Sequence, residues 1–276
     1  MIIGLGSDKG APGSTTLAAA LAQVWSGPRL LLELDPRGAD LPLRLTRPDG
    51  TALLEAPSLV GLALAARGPG DTPAIERFAQ LTAQGFPVIA GEMSTRAYAR
   101  IVTHLPDLAR LAQAWPGAVF TDVGPLQPSN PAMVAARAAS CVLTVTRPTL
   151  EGFAHLRDNL TGLAEAVADP RRTRPPLGVV VVVPAKAERA ALRQTRSLLE
   201  QLDSPAQLVG ALAFDPAGVE MLWQAPDSKK FPRTALYRSA SRLAGQIVAL
   251  WPQLDPNPAV YRAPAPGAAP VREVTA

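Results

Sequence analysis

Short apolar runs bounded by Gly or Pro alternate along the chain with longer amphipathic segments. The runs predict strands over residues 2–6, 30–34, 87–90, 118–121, 141–145, 178–183 and 208–212. The segments between them predict helices over 15–25, 53–67, 75–83, 101–115, 131–138, 150–168, 187–202, 217–223 and 235–251. The stretch from Val179 to Val183 is unbroken valine, which suits a strand covered on both faces rather than one. This alternation predicts an α/β fold: a doubly wound, mainly parallel sheet of seven or eight strands with helices on both faces. In such sheets ligands sit at the carboxyl ends of the strands. From Pro252 the composition turns to Pro and Ala with scattered charges. The expected organisation is one domain over 1–251 and an extended, flexible tail over 252–276.

Composition narrows the class without naming a function. A chain of 276 residues with 47% apolar and 18% charged side chains can bury one large core and is not of the disordered type. The net charge of +4 permits non-specific phosphate contacts without demanding them. No apolar run approaches the roughly 20 residues needed to cross a bilayer, and the first residues form a strand pattern rather than a basic leader. A lone cysteine, Cys141, excludes an intramolecular disulfide and reads as core filling, so a cytoplasmic protein is expected. His104 and His155 lack partners at metal-ligand spacing, and the four tryptophans fall near helix ends, where they read as packing.

Candidate chemistry begins at KGAPGSTT, residues 9–16, between the first strand and an alanine-rich helix. A strand, a tight Gly-containing loop and a helix start form an anion cradle: backbone N–H groups converge and the helix end adds partial positive charge. Thr15 and Thr16 sit where a hydroxyl could ligate Mg²⁺ or cap the first turn. The usual phosphate-loop pattern ends in Gly-Lys-Ser/Thr, yet here Ser14 follows Gly13. A unit charge about 4 Å from a phosphate is worth roughly 4 kcal/mol at an effective dielectric near 20. Its loss, partly offset by water and Mg²⁺, weakens binding by about a hundredfold. Pro12 also removes an N–H, and Asp8 adds a negative charge beside the loop.

The loop resembles the deviant Walker A of the ParA/MinD ATPases, Lys-Gly-Gly-x-Gly-Lys-Thr-Thr, at Lys9, Gly10, Gly13, Thr15 and Thr16. It departs at Ala11, Pro12 and Ser14. ELDPRGAD, residues 33–40, resembles the family's Asp-x-Asp-Pro-Gln-Gly switch, with Asp35 on the water-orienting aspartate and Glu33 and Arg37 as milder changes. AVFTDVGP, residues 118–125, resembles its Walker B strand and second switch, with Asp122 at the metal position. The strand and helix of residues 139–160 and the turn at Phe214, Asp215 and Pro216 follow in the family's order, over roughly residues 1–250. The family's base-reading Asn is absent: Val182, Val183 and Pro184 stand there.

The resemblance implies ATP and Mg²⁺ as cofactors, with residues 9–16 on the phosphates, Thr15 and Asp122 on Mg²⁺, Asp35 on the attacking water and Phe214, Asp215 and Pro216 beside the base. It implies a homodimer in which Lys9 reaches the partner subunit's nucleotide, and a protein partner or cargo positioned at the nucleoid or a cell pole. Arg189, Arg193 and Arg196, spaced i, i+4, i+7 on one helix face, would suit non-specific DNA or simply solvent. The 252–276 tail cannot form the amphipathic membrane-targeting helix that ends MinD. Two functions remain open: a nucleotide-dependent dimer switch with weak ATP hydrolysis, and a non-catalytic pseudo-ATPase acting as an interaction or DNA-binding scaffold.

Overall fold

In the computed structural model, residues 1–9, 12–66, 73–168, 174–224 and 229–255 are described. Gly10, Ala11, Arg171, Arg172 and the 256–276 part of the expected tail lie outside them. The strands are β1 Ile2–Ser7, β2 Arg29–Glu33, β3 Gln80–Leu81, β4 Pro87–Ile89, β5 Ala118–Pro125, β6 Cys141–Thr146, β7 Leu177–Val183 and β8 Gln207–Ala213. The α-helices are α1 Ser14–Val24, α2 Leu41–Arg44, α3 Leu59–Ala65, α4 Thr95–Ala99, α5 Leu105–Ala114, α6 Met133–Arg137, α7 Leu150–Ala166, α8 Glu188–Gln201, α9 Pro216–Trp223 and α10 Ala235–Leu250.

One sheet of eight strands runs β3-β4-β2-β5-β1-β6-β7-β8. Every pairing is parallel except β3 with β4. The two-residue periodicity of a strand divides the apolar residues between two cores. Ile2, Leu30, Leu32, Val179, Val181 and Val183 face α3, α5, α6, α7 and α8. Ile3, Leu5, Leu31, Val180 and Val182 face α1, α9 and α10. The valine run is thus a strand buried on both sides, as its composition requires. Small side chains let α1 lie close on the sheet, and Leu17 through Ala22 are all buried.

Three expectations need correction. The helical pattern over 75–83 gives only a 3₁₀ turn, Ile75–Phe78, before the chain turns into the edge strand β3. That strand is held by Gln80, whose side chain exchanges hydrogen bonds with Leu54 N (2.8 Å) and Leu54 O (2.9 Å). The helix expected over 53–67 begins only at Leu59, where Ser58 caps it by accepting from Gly61 N at 3.2 Å. The folded chain also runs past residue 251: a 3₁₀ turn, Pro252–Leu254, buries Leu254 in the α10 core. Among the described residues, no helix is long and apolar enough to cross a membrane.

The carboxyl ends of β1 and β5 come together closely. A Cβ on Gly6 would lie 2.4 Å from Gly124 O and 2.8 Å from Leu126 Cγ. Gly6→Ala should therefore cost about 1–3 kcal/mol through overpacking. Gly162, in the middle of α7 with open space around its Cβ position, should gain about 0.5–1 kcal/mol as Ala. Urea unfolding midpoints read both, with a lowered midpoint for the first variant and a raised one for the second.

Candidate functional site

The sheet places the candidate residues at the carboxyl ends of its strands. β1 lies between β5 and β6, and the chain leaves β1 through the loop to α1. Gly13 takes a left-handed conformation (φ 113°) as the N-cap of α1, and no side chain caps that helix. The N–H groups of the first turn have no intrahelical acceptor, which is the condition for receiving an anion. Ser14 is buried and uncharged at this turn, while Lys9 is exposed.

Within the first turn of the helix, Thr15 Oγ1 donates to Asp122 Oδ2 at 2.5 Å. Asp122 is 1% exposed, and its other oxygen accepts from Gly124 N at 3.1 Å. Burial pushes the Asp122 carboxyl up to about 6, against the pull of the Thr15 and Gly124 hydrogen bonds. A hydroxyl and a carboxylate side by side form a hard-oxygen pair of the kind Mg²⁺ prefers. Among the described residues no group of three or more His, Cys, Asp or Glu could hold a metal alone. Thr15 and Asp122 would hold a Mg²⁺ ion through these two oxygens, with further oxygen ligands from outside the chain.

Asp35 reaches the same corner from the segment after β2. Its carboxylate packs on Gly124, where a Cβ would lie 2.4 Å from Asp35 Cγ. Arg37 turns back onto it: Arg37 N donates to Oδ1 at 2.9 Å, Nε to Oδ1 at 3.1 Å and Nη2 to Oδ2 at 2.7 Å. Asp35 is thus brought to Asp122, as the sequence motif implies, but its acceptors face a guanidinium.

The segment around Asp35 is held by groups whose roles the sequence did not signal. Glu33, 2% exposed, accepts from Asp40 N (2.9 Å), Leu41 N (3.2 Å) and Gly91 N (3.0 Å), tying the start of α2 and the end of β4 to β2. Burial pushes its carboxyl up to about 7; the three amides oppose this and the Asp122 charge adds to it. Tyr98 of α4 donates to Leu34 O at 2.9 Å. Beyond β5, Asn130 donates to Val123 O and Pro125 O (2.7 and 2.6 Å) and accepts from Ala132 N (2.8 Å). Asp8 is turned away from the loop: Asn159 Nδ2 donates to its carboxylate at 2.9 Å, and His155 Nδ1 lies 3.4 Å from it. Only the i, i+4 spacing of His155 and Asn159 on α7 hinted at such a pair.

A cavity of about 430 Å³ opens beside Gly13 and Thr16. Phe214, Asp215 and Pro216 line it, together with Val182, Leu212 and Arg147. Arg147 stands over the Phe214 ring at 5.7 Å, and Phe214 is 50% exposed. The Asp215 carboxylate is committed to the backbone: it accepts from Gly218 N (3.0 Å) and Leu236 N (3.1 Å), joining the starts of α9 and α10. It shapes the pocket rather than reading a ligand. The cavity is thus mainly apolar, with a cationic plane over one aromatic face.

Comparison by sequence with protein-family models and with curated proteins finds no match. Comparison by structure does. A ParA family ATPase from Chlorobium tepidum matches 88% of this chain and 98% of its own, at 17% identity and a TM-score of 0.67. MinD from Pyrococcus horikoshii, solved with Mg-ADP, matches 90% and 96%, at 18% identity and 0.66. The ParA of pNOB8, solved on non-specific DNA, matches 91% and 99%, at 16% identity and 0.62. The chain has the ParA/MinD fold over nearly all of those proteins' length.

Glu33 yields a pH test. Its carboxyl titrates at 4.5 when unfolded and near 7 in the fold. Between those values the native state holds a proton that the unfolded chain has released, so stability falls as pH rises through that window. The shift corresponds to about 3 kcal/mol. Unfolding free energy measured from pH 4 to 8 should fall relative to Glu33→Gln by about that amount. Parallel curves for the two proteins would refute the assignment.

Proposed function

We propose that this chain is a nucleotide-controlled dimer switch of the ParA/MinD kind, with slow ATP hydrolysis, that positions DNA or a cell-envelope machine. The observation that carries the reading is the Thr15–Asp122 pair, set at an uncapped helix start beside a cavity in the size range of small-ligand sites. The amides from Gly13 to Thr16 bind phosphate oxygens, with Lys9, Gly10, Ala11 and Pro12 completing the loop. Thr15 and Asp122 hold Mg²⁺, which when bound offsets phosphate charge and polarises the terminal phosphoryl group. Phe214, Pro216 and Arg147 bracket the base, and Asp215 holds their turn in place. No amide reads the base edge from Val182 or Val183, so base preference is weak.

Asp35 is the residue that orients water when its carboxylate is free. In the structure Arg37 occupies it, which favours slow turnover. The same contact supports the second reading, a pseudo-ATPase that keeps the fold and the dimer surface and acts as a scaffold. The structural relatives act as a septum site-determining protein and on non-specific DNA, which supports a positioning role in the cytoplasm at the nucleoid or a pole. Arg189, Arg193 and Arg196 are exposed along α8 and would give a salt-sensitive DNA contact. In a homodimer Lys9, exposed at the loop, contacts the partner subunit's phosphates.

With Mg-ATP at about a hundred times Kd, the native state should gain about 2.7 kcal/mol. The melting temperature should rise in the wild type, and Asp122→Ala should lose the Mg²⁺-dependent part. In sedimentation velocity, Mg-ATP should convert monomer to dimer, and Lys9→Ala should remain monomeric. No thermal shift in the wild type would favour the scaffold reading; dimerisation unchanged by Lys9→Ala would remove that residue's role.

A further inference from the structure

Ser14 leaves the phosphate loop without the cation that usually sits beside the phosphates. Asp35 and Asp122 meet at Gly124, so a triphosphate held by the α1 amides would approach two carboxylates. Repulsion between such groups amounts to several kcal/mol at close range, and one Mg²⁺ does not neutralise all of it. A cation is needed on that side, and the structure has one. The Arg37 guanidinium lies on Asp35, one carboxylate away from the Thr15–Asp122 pair. Its side chain is 55% exposed, and no Nη1 bond to Asp35 is among its contacts. Arg37 is followed by Gly38 at φ 122°, in a turn pinned at its far end by Glu33 on Asp40 and Leu41. Arg37 N is itself anchored on Asp35 Oδ1, so the guanidinium can leave Oδ2 by side-chain rotation without moving the backbone.

We propose that Arg37 supplies, from the segment after β2, the positive charge on the terminal phosphate of a bound nucleoside triphosphate, leaving Asp35 when that phosphate arrives. The inference rests on the nucleotide reading given above and adds a sensor to it. With no third phosphate Arg37 covers Asp35; with one present the guanidinium moves to the phosphate and Asp35 becomes free to accept from water. Arginine suits the task because its planar fork donates in the same paired geometry to a carboxylate or to a phosphate. A diphosphate has no third phosphate to draw the guanidinium away, so the pair stays closed.

The test separates the contact with phosphate from the contact with Asp35. In wild-type protein, Arg37→Gln would also uncover the Asp35 charge, so the comparison is made in an Asp35→Asn background. Calorimetric titration of the full chain with Mg-ATP and with Mg-ADP gives the two affinities. Adding Arg37→Gln to Asp35→Asn should weaken Mg-ATP by about tenfold to a hundredfold and leave Mg-ADP within about twofold. Arg37→Lys in the same background should recover part of the ATP affinity. Unchanged Mg-ADP binding certifies the fold of each variant. Equal effects on the two nucleotides, or none, would overturn the role of Arg37 while leaving the nucleotide site intact. Absence of binding by both wild type and Asp35→Asn would overturn the site itself, and Arg37 with it.

Discussion

The structure depends on the close meeting of β1 and β5 at their carboxyl ends. Gly6 and Gly124 leave no room for side chains there, and the register shifts between Leu5 and Gly6. That approach puts the loop leaving β1 directly beside Asp122. Thr15, in the first turn of α1, then reaches Asp122 across the gap. The helix start, the hydroxyl and the buried carboxylate are fixed relative to one another by backbone packing on both faces of the sheet. The shape of this corner thus rests on backbone packing more than on any one side chain.

A second layer surrounds this corner. Glu33 accepts three backbone N–H groups from two other segments, Tyr98 braces Leu34, and Asn130 braces the end of β5. Each satisfies backbone groups that the irregular chain ends of a parallel sheet leave over. Between these fixed points the Asp35–Arg37 turn keeps its own backbone bonds, Arg37 N to Asp35 Oδ1 and Gly38 N to Asp35 O, while the exposed Arg37 side chain is paired to Asp35. Partly exposed pairs contribute little to stability, so that side chain can move while the turn and its supports stay in place. A rigid frame carrying one weakly held side chain suits a switch.

Much of this was legible in the sequence, for reasons that differ by element. The apolar runs marked seven of the eight strands because a sheet covered on both faces needs continuous β-branched and aliphatic residues, as in Val179 to Val183. The edge strand β3 escaped because two residues carry no periodicity, and its place is set by Gln80 reaching Leu54 rather than by pattern. The four-residue helix α2 likewise owes its start to Glu33, which lies on another element. Thr15, Asp35 and Asp122, which motif order singled out, lie together in the fold: Thr15 donates to Asp122, and Asp35 packs on Gly124. Motif order could not show that Asp215 is committed to capping or that Asp8 is turned to α7. Arg37 and Glu33 looked like mild substitutions, since the meaning of each lies in an acceptor or donor that only the folded chain brings near.

The central claim is that amides from Gly13 to Thr16 hold a triphosphate without a lysine at position 14. Hydrogen–deuterium exchange over the peptide spanning the loop and the start of α1, with and without Mg-ATP, tests it most directly. The account predicts strong slowing of exchange in the first turn of α1 on adding Mg-ATP, and its loss in Asp122→Ala. Exchange in that turn that is the same with and without Mg-ATP, at nucleotide concentrations up to the millimolar range, would contradict it.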